Sequence, residues 1–416
     1  DDPRAGPAPG PALDSSPLPR ARRIDVVNST FLMNTYARMP IAFERGEGAW
    51  LFDEHGTRYL DAVSGIAVCS LGHADPVLAE AICDQVRTLV HTANLGHIRL
   101  QETLAERLCA ITAMDRAFIT NTGAEAIECA LKIARRTGFE RGIECPRILV
   151  VDGAFHGRTL GAISASAPGK LQHGFAPLVD GFVRVPFGDA AAAAAALADD
   201  PTIVAVLLEP IQGEGGVRIP PDGYLDALRA ACDEHEALLM VDEIQTGLCR
   251  TGAWFAHQHE ADCRPDVLTS AKALGNGVPV AACIARGAAA DVLTPGSHGT
   301  TYGGSPLACR TALAVLERME ALDLNARSRE LGRALIDRLR ERLDGCARVA
   351  DIRGRGLMIG VELVDNAMDV RDHALQRQVL INVTHERVIR LLPPLIIDRE
   401  QAMTIADTVA DGIVDR

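Results

Sequence analysis

Between residues 117 and 285 the chain keeps returning to short, nearly unbroken runs of apolar, strand-prone residues: 117–120, 147–151, 203–208, 238–241, 267–269 and 280–285. A strand with one wet face alternates apolar and polar residues, whereas an unbroken run belongs to a strand covered on both faces. Helical patterns fall between several of these runs, among them 124–136 and the alanine-rich 190–196. Covered strands separated by helices require an α/β architecture around a mostly parallel sheet. Ligands of such sheets collect beyond the carboxyl ends of the strands. Asp152, Glu209, Asp242 and Lys272 all fall there.

The flanks read differently. Residues 42–61 are strands joined by tight, glycine-marked turns. Asp75 caps a helix that has Pro76 at its first position and runs through residue 90. A second helix covers about 100–111. After Pro306 a helix runs to about 322, and 325–343 is another, with Leu331, Leu335, Ile336 and Leu339 on one face. The C-terminal part is strand-rich, with runs at 357–363, 379–382 and 388–392 before a last helix from about 398. Residues 1–23 are rich in Pro, Gly, Ala and Arg without apolar periodicity, and a disordered leader is expected there, with ordered structure from about residue 24. At 416 residues the chain exceeds one ordinary core, so one large and one smaller domain are expected.

Charge and cysteines narrow the partners. A net charge of −13 and a pI near 5.4 exclude nucleic acid or an anionic membrane as the main partner, since nothing gathers Lys and Arg into a footprint. No apolar run is long enough to span a bilayer. The eleven cysteines, scattered from Cys69 to Cys346 without a CxxC pair, point to reduced thiols in a cytosol-like compartment, with neither a disulfide frame nor a zinc site.

Lys272 follows the run 267–269 and precedes Gly275 and Gly277. A lysine amine forms Schiff bases with carbonyl cofactors once a pocket desolvates it. Taken alone, Lys272 is better read as a solvated strand-end lysine. Asn121, Thr122, Gly123, Ala124 and Glu125 open a helix after a strand, where free N–H groups and the helix dipole make a phosphate site; alone, they are better read as an ordinary helix cap. Asp242, thirty residues before Lys272, ends a buried run and could keep a heteroaromatic nitrogen protonated. A metal site at Asp242 and Glu243 is disfavoured: neighbours on a strand point to opposite faces, and no His cluster completes a shell. Phe155 could stack on a flat cofactor and Arg158 fork onto a carboxylate, or they could be a core ring and a surface charge. His156 reads as structural. The glycine-rich turn 209–216 carries Glu209 and Glu214.

Together these segments resemble the class III pyridoxal-phosphate aminotransferases, from about residue 30 to the C-terminus. Segments 209–216, 242–252, 269–277 and 297–309 stand in the family's order and spacing. The resemblance implies the type I fold of pyridoxal-phosphate-dependent transferases, an α/β chain with a large, mostly parallel-sheet domain and a small α+β domain built from both chain ends. On this chain that places the leader at 1–23, the N-terminal part of the small domain at 24–75, the large cofactor-binding domain at 76–314 and the C-terminal small domain at 315–416. It implies that Lys272 holds pyridoxal 5'-phosphate and shuttles the proton, that Asp242 pairs with the pyridine nitrogen, and that Gln245 contacts the ring's phenolic oxygen. Thr122 and Gly123 would bind the phosphate and Phe155 would stack on the ring. Thr301 would reach the phosphate of the neighbouring subunit. Arg158 would hold the substrate carboxylate, with Thr300 beside the substrate. Glu214 and Arg390 resemble a pair that masks or frees a carboxylate site between half-reactions. A cytoplasmic homodimer with shared active sites follows, acting on a small amine donor and 2-oxoglutarate, with no metal, nucleic acid or membrane partner.

The substrate is drawn from finer matches. Tyr36 stands where ornithine-using relatives carry a tyrosine, and Ile66 where ornithine δ-aminotransferases carry another. An apolar Ile66 favours an N-acylated ornithine. The expected reaction moves the δ-amino group of N2-acetyl-L-ornithine to 2-oxoglutarate, a step of arginine biosynthesis. Succinylornithine, 4-aminobutyrate, ornithine or a secondary-metabolite amine are the alternatives, as is a non-catalytic cofactor-binding homologue. A nucleotide-binding Rossmann protein fits poorly, because no GxGxxG opens a helix after the first strand. Four positions depart from the family pattern: Gly96 for an aromatic, Ala124 for Thr or Cys, Ile127 for Asn, and Ser305 for Asn.

Overall fold

The computed structural model describes residues 31–414, and the expected leader lies outside them. Three antiparallel strands come first, β1 (Phe43–Glu47), β2 (Trp50–Asp53) and β3 (Arg58–Asp61). The helices Pro76–Thr88 and Arg99–Thr112 follow. The Asp75 carboxylate accepts from the Val77 and Leu78 amides, so the cap forms where the Asp-Pro pair put it.

The central sheet is built from β4 (Arg116–Thr120), β5 (Arg147–Val151), β6 (Phe182–Val185), β7 (Ile203–Leu208), β8 (Leu238–Asp242), β9 (Val267–Ser270) and β10 (Ala281–Ala285). Their order across the sheet is β4-β10-β9-β8-β7-β5-β6. Strands β6, β5, β7, β8 and β9 pair in parallel, and β10 runs antiparallel to both β9 and β4. The sheet is therefore mostly parallel, as the unbroken runs required. Ala205 and Leu207 of β7 join a core on one face with the helix Gly123–Glu140. Val206 and Leu208 join a second core on the other face with the helices Ala190–Asp199 and Tyr224–Glu234. Each buried Val or Leu is worth roughly 2 kcal/mol, while strand propensities span only about 1 kcal/mol. Two-sided packing therefore sets this sheet.

The C-terminal part holds the helices Pro306–Ala321 and Leu324–Arg342, then β11 (Val349–Arg355), β12 (Met358–Leu363), β13 (Val379–Leu380), β14 (Asn382–Thr384) and β15 (Val388–Leu391), and the helix Arg399–Val414. In Leu324–Arg342, Leu331, Leu335 and Leu339 are buried and Ile336 packs against them. Arg338 and Arg342 pair with Asp407 and Asp411 of the last helix. The run read as one strand at 379–382 is two: β13 pairs in parallel with β3, and β14 pairs with β15 in the sheet β11-β12-β15-β14. Buried Ile381 is the joint between the two sheets. The β13–β3 pairing ties the C-terminal part to the first strands. No helix among the described residues is long and apolar enough to cross a membrane.

Candidate active site

Adjacent parallel strands β8 and β9 end side by side, with Asp242 opposite Thr269. Lys272 follows two residues after β9, at a positive φ of 45° that only a fixed surround holds in a non-glycine residue. Both residues line a cavity of about 350 Å³ together with Thr122, Gly123, Phe155 and Gln245. Six of the expected site residues therefore meet in one place. Burial pushes the Lys272 amine below its ordinary value; the pull of Glu214, Asp242 and Glu209 works against this and Arg390 adds to it. A lysine so placed holds more of its uncharged, nucleophilic form near neutral pH.

Asp242 is fixed from three sides. Its Oδ2 lies 2.8 Å from His156 Nδ1. Its Oδ1 accepts from the Ile244 amide at 3.1 Å and from the Thr269 hydroxyl at 3.3 Å. His156 is buried, its own amide donates to Ser166 Oγ, and its Nε2 finds no partner among the described residues. Glu243 points the other way, as strand alternation requires: it accepts from the amides of Ala256 and His257 and lies 2.9 Å from His257 Nδ1. No group of three or more metal-ligating side chains occurs among the described residues.

The cavity's opposite wall is the start of the helix Gly123–Glu140. Thr122 caps it, its hydroxyl accepting from the Glu125 amide, while the Glu125 carboxylate accepts from the Thr122 and Asn121 amides. Gly123 and Ala124 occupy the first helical turn, whose amides have no intrahelical acceptor, and both face the cavity. A Cβ on Gly123 would come within 2.8 Å of Ile244 Cδ1, so glycine is needed for this approach. The Asn121 side-chain Nδ2 donates to Thr300 Oγ1 at 3.2 Å, which brings Thr300 to the same wall.

Buried Glu209 ties two parts together, accepting from the Phe155 amide at 2.9 Å and the Gly213 amide at 3.1 Å. Burial, helped by Asp242 and opposed by His156, pushes its carboxyl up to about 7. Five residues on, Glu214 accepts from Arg390 Nη1 at 2.6 Å. Burial alone would raise the Glu214 carboxyl, but the guanidinium outweighs it and holds the group below its ordinary value. Gln245 Oε1 also accepts from Arg390 Nη1, at 3.3 Å.

Six expected residues lie outside the cavity lining: Thr300, Glu214 and Arg390 are tied to it through Asn121 and Gln245, and three stand apart. Tyr36 is exposed, with Arg38 over its ring. Thr301 is exposed in the turn before Ser305. Arg158 is exposed at the cavity mouth, its guanidinium 5.6 Å from the Phe155 ring centre. Ile66 packs against the small cluster of Ala67, Ile211 and Val217. Two of the four departures are absorbed locally: Ile127 is core, and Ser305 caps the helix Pro306–Ala321. Sequence reasoning took His156 as structural and missed its contact with Asp242, and missed that the Glu209 carboxylate holds Phe155.

The family described as Aminotransferase class-III matches residues 31–413. The acetylornithine aminotransferase of Nitrosomonas europaea is 49% identical over 379 residues, 91% of this chain and 96% of its own length. That of Methanothermobacter thermautotrophicus is 43% identical over 386 residues, 92% of this chain and 97% of its own. Among solved structures, the ornithine aminotransferase of Toxoplasma gondii superposes with a TM-score of 0.90 at 35% identity, covering 94% of this chain and 93% of its own.

Proposed function

The chain belongs to the class III aminotransferases, and from that premise we propose that it transfers the δ-amino group of N2-acetyl-L-ornithine to 2-oxoglutarate, giving N-acetyl-L-glutamate 5-semialdehyde and L-glutamate. The observation that carries this reading is the meeting of Lys272, Asp242 and the Thr122-capped helix start in one cavity. Its lining fits pyridoxal 5'-phosphate: an amine of lowered basicity, a carboxylate at the floor, free amides at a helix start and an aromatic ring. When bound, the cofactor supplies a carbonyl for amine capture and a ring that draws electrons from the reacting carbon.

This chain's residues do the rest. Lys272 would hold the cofactor through its amine, and when free its Nζ would move the proton from the donor's reacting carbon to the cofactor's. Asp242, steadied by His156, keeps the ring nitrogen protonated. The amides of Gly123 and Ala124 and the Thr122 hydroxyl take the phosphate. Phe155 covers a ring face, held there by Glu209. Gln245 meets the ring oxygen. Arg158, with Thr300 and Tyr36, receives the donor's carboxylate end. Glu214 covers Arg390 while the donor is bound and uncovers it for 2-oxoglutarate. Ile66, apolar and half-buried, favours a donor whose α-amine is acylated.

Thr301 completes the phosphate site of the partner subunit in a cytoplasmic homodimer. Phe31 and Met33 are exposed in this single chain, as are Leu95 at 97% and Tyr302 at 66%, as expected of surfaces a second copy covers. A panel of amine donors with 2-oxoglutarate tests the function. N2-acetylornithine should give glutamate at the highest kcat/KM; glutamate from ornithine or 4-aminobutyrate but not from acetylornithine would overturn the substrate.

A further inference from the structure

Arg390 is almost wholly buried, and its guanidinium is held along two edges. On one edge Nε and Nη2 both donate to the Asn382 side-chain oxygen, at 3.0 and 2.7 Å. On the other, Nη1 donates to Glu214 and Gln245. Asn382 stands directly opposite Arg390 in the β14–β15 pair. Two residues on, and so on the same face of the strand, the Thr384 hydroxyl donates to the Glu214 carbonyl at 2.7 Å. Arg353 donates to the carbonyls of Gly216 at 2.6 Å and Val217 at 2.9 Å, fixing the next part of the same turn.

We propose that Asn382 is the positioning residue that keeps Arg390 presented to the keto-acid carboxylate, and that Thr384 anchors the Glu214 backbone so that only the Glu214 side chain moves. The inference rests on the Glu214–Arg390 exchange proposed above and says how it works. A buried cation that loses its anionic partner is costly unless other acceptors remain. Asn382 is such an acceptor, and it is neutral, so Arg390 keeps its full charge after Glu214 leaves. Because Asn382 takes Nε and one Nη2 hydrogen and Gln245 one Nη1 hydrogen, departure of Glu214 leaves one hydrogen free on each of Nη1 and Nη2. That pair takes a carboxylate in a two-pronged bond. With the Glu214 and Gly216 carbonyls tied down, uncovering Arg390 needs rotation of the Glu214 side chain and no displacement of the turn. One short strand, β14, thus holds both halves of the device.

The test uses the cofactor-loaded enzyme, with glutarate as a non-reacting dicarboxylate. Glutarate binding is measured by calorimetry. The two half-reactions are followed separately through the cofactor absorbance, first with donor alone and then with 2-oxoglutarate alone. Asn382→Ala and Asn382→Asp should each weaken glutarate about tenfold, the scale of losing or neutralising charged hydrogen bonds. Both should raise the 2-oxoglutarate requirement alike and leave the donor half-reaction within about twofold of the parent. The aspartate, close to asparagine in size, carries the test if the alanine variant unfolds. Thr384→Val should raise the donor requirement several-fold and leave glutarate binding unchanged. Glutarate binding unchanged in both Asn382 variants, while Arg390→Gln loses it, would overturn the inference and leave the exchange standing. Glutarate binding unchanged in Arg390→Gln would overturn the exchange and the inference with it. An unchanged donor requirement in Thr384→Val would overturn the anchoring role.

Discussion

The floor of the cavity and its rim are built on different terms. Of the floor residues, Asp242 ends β8 and Lys272 follows β9, strands buried along most of their length, and His156, Thr269 and Ile244 fix Asp242. Tyr36, Leu95 and Thr301, the residues here called the rim, are exposed and lie outside the cavity lining, and residues 31–42 form no strand or helix. One chain can fix a floor, because two-sided burial holds each strand end within the packing tolerance of a protein core. On the proposed homodimer, the chemistry would belong to one chain and phosphate retention and donor selection to two.

The largest effect is expected at the floor. Lys272→Ala should lower transamination by about 10⁴-fold or more, because it removes covalent capture and the proton carrier together. The variant should still fold, eluting from size-exclusion chromatography as the parent does. Turnover near the parent level would break the floor-centred reading entirely. Asp242→Asn keeps the size but removes the charge, and should cost about 10³-fold in the donor half-reaction, the scale of one preorganised electrostatic group. A loss under about tenfold would mean that the ring nitrogen does not depend on Asp242.

What was legible in the sequence divides along the same line. Unbroken apolar runs exist because both faces are covered, so β5, β7, β8 and β9, and the polar residues ending them, could be read directly. Edge strands carry weaker patterns. β6, with Arg184 inside it, and the half-exposed β11 escaped notice, as did the short helix Met368–Gln376, which has no side-chain cap. The break at Ile381 was invisible, since one apolar run serves two sheets. Contacts across the fold, such as His156 with Asp242 or Asn382 with Arg390, join residues whose spacing follows no local period. Tyr36 and Thr301 were legible only through family resemblance, because neither falls in a periodic run or lines the cavity.

The floor also carries a proton that should register in stability. Buried Glu209 has its carboxyl pushed up to about 7, so the folded protein keeps a proton that the unfolded chain gives up near its ordinary value of 4.5. Its contribution is therefore intact below about 4.5 and is lost as pH rises through 7. Denaturation by urea should show a decline of about 2 kcal/mol from this group between pH 5 and 7. Glu209→Gln should flatten that window relative to the parent. An identical slope in the variant would place the proton elsewhere and leave Glu209 only its bonds to Phe155 and Gly213.

The smallest effect sharpens the comparison most. Thr301→Val should weaken cofactor affinity by about tenfold, the scale of one hydrogen bond to a charged group. The value alone does not say whose site was damaged, but mixing does. In dimers formed from Lys272→Ala and Thr301→Val chains, the one reactive lysine comes from the Thr301→Val chain. If the rim acts across the interface, that lysine's site receives an intact threonine from the other chain. A cofactor titration of the mixture should then contain a component with the parent's affinity, which neither variant shows alone. If Thr301 serves its own chain's floor, every reactive site in the mixture keeps the weakened affinity, and the division of labour between floor and rim disappears.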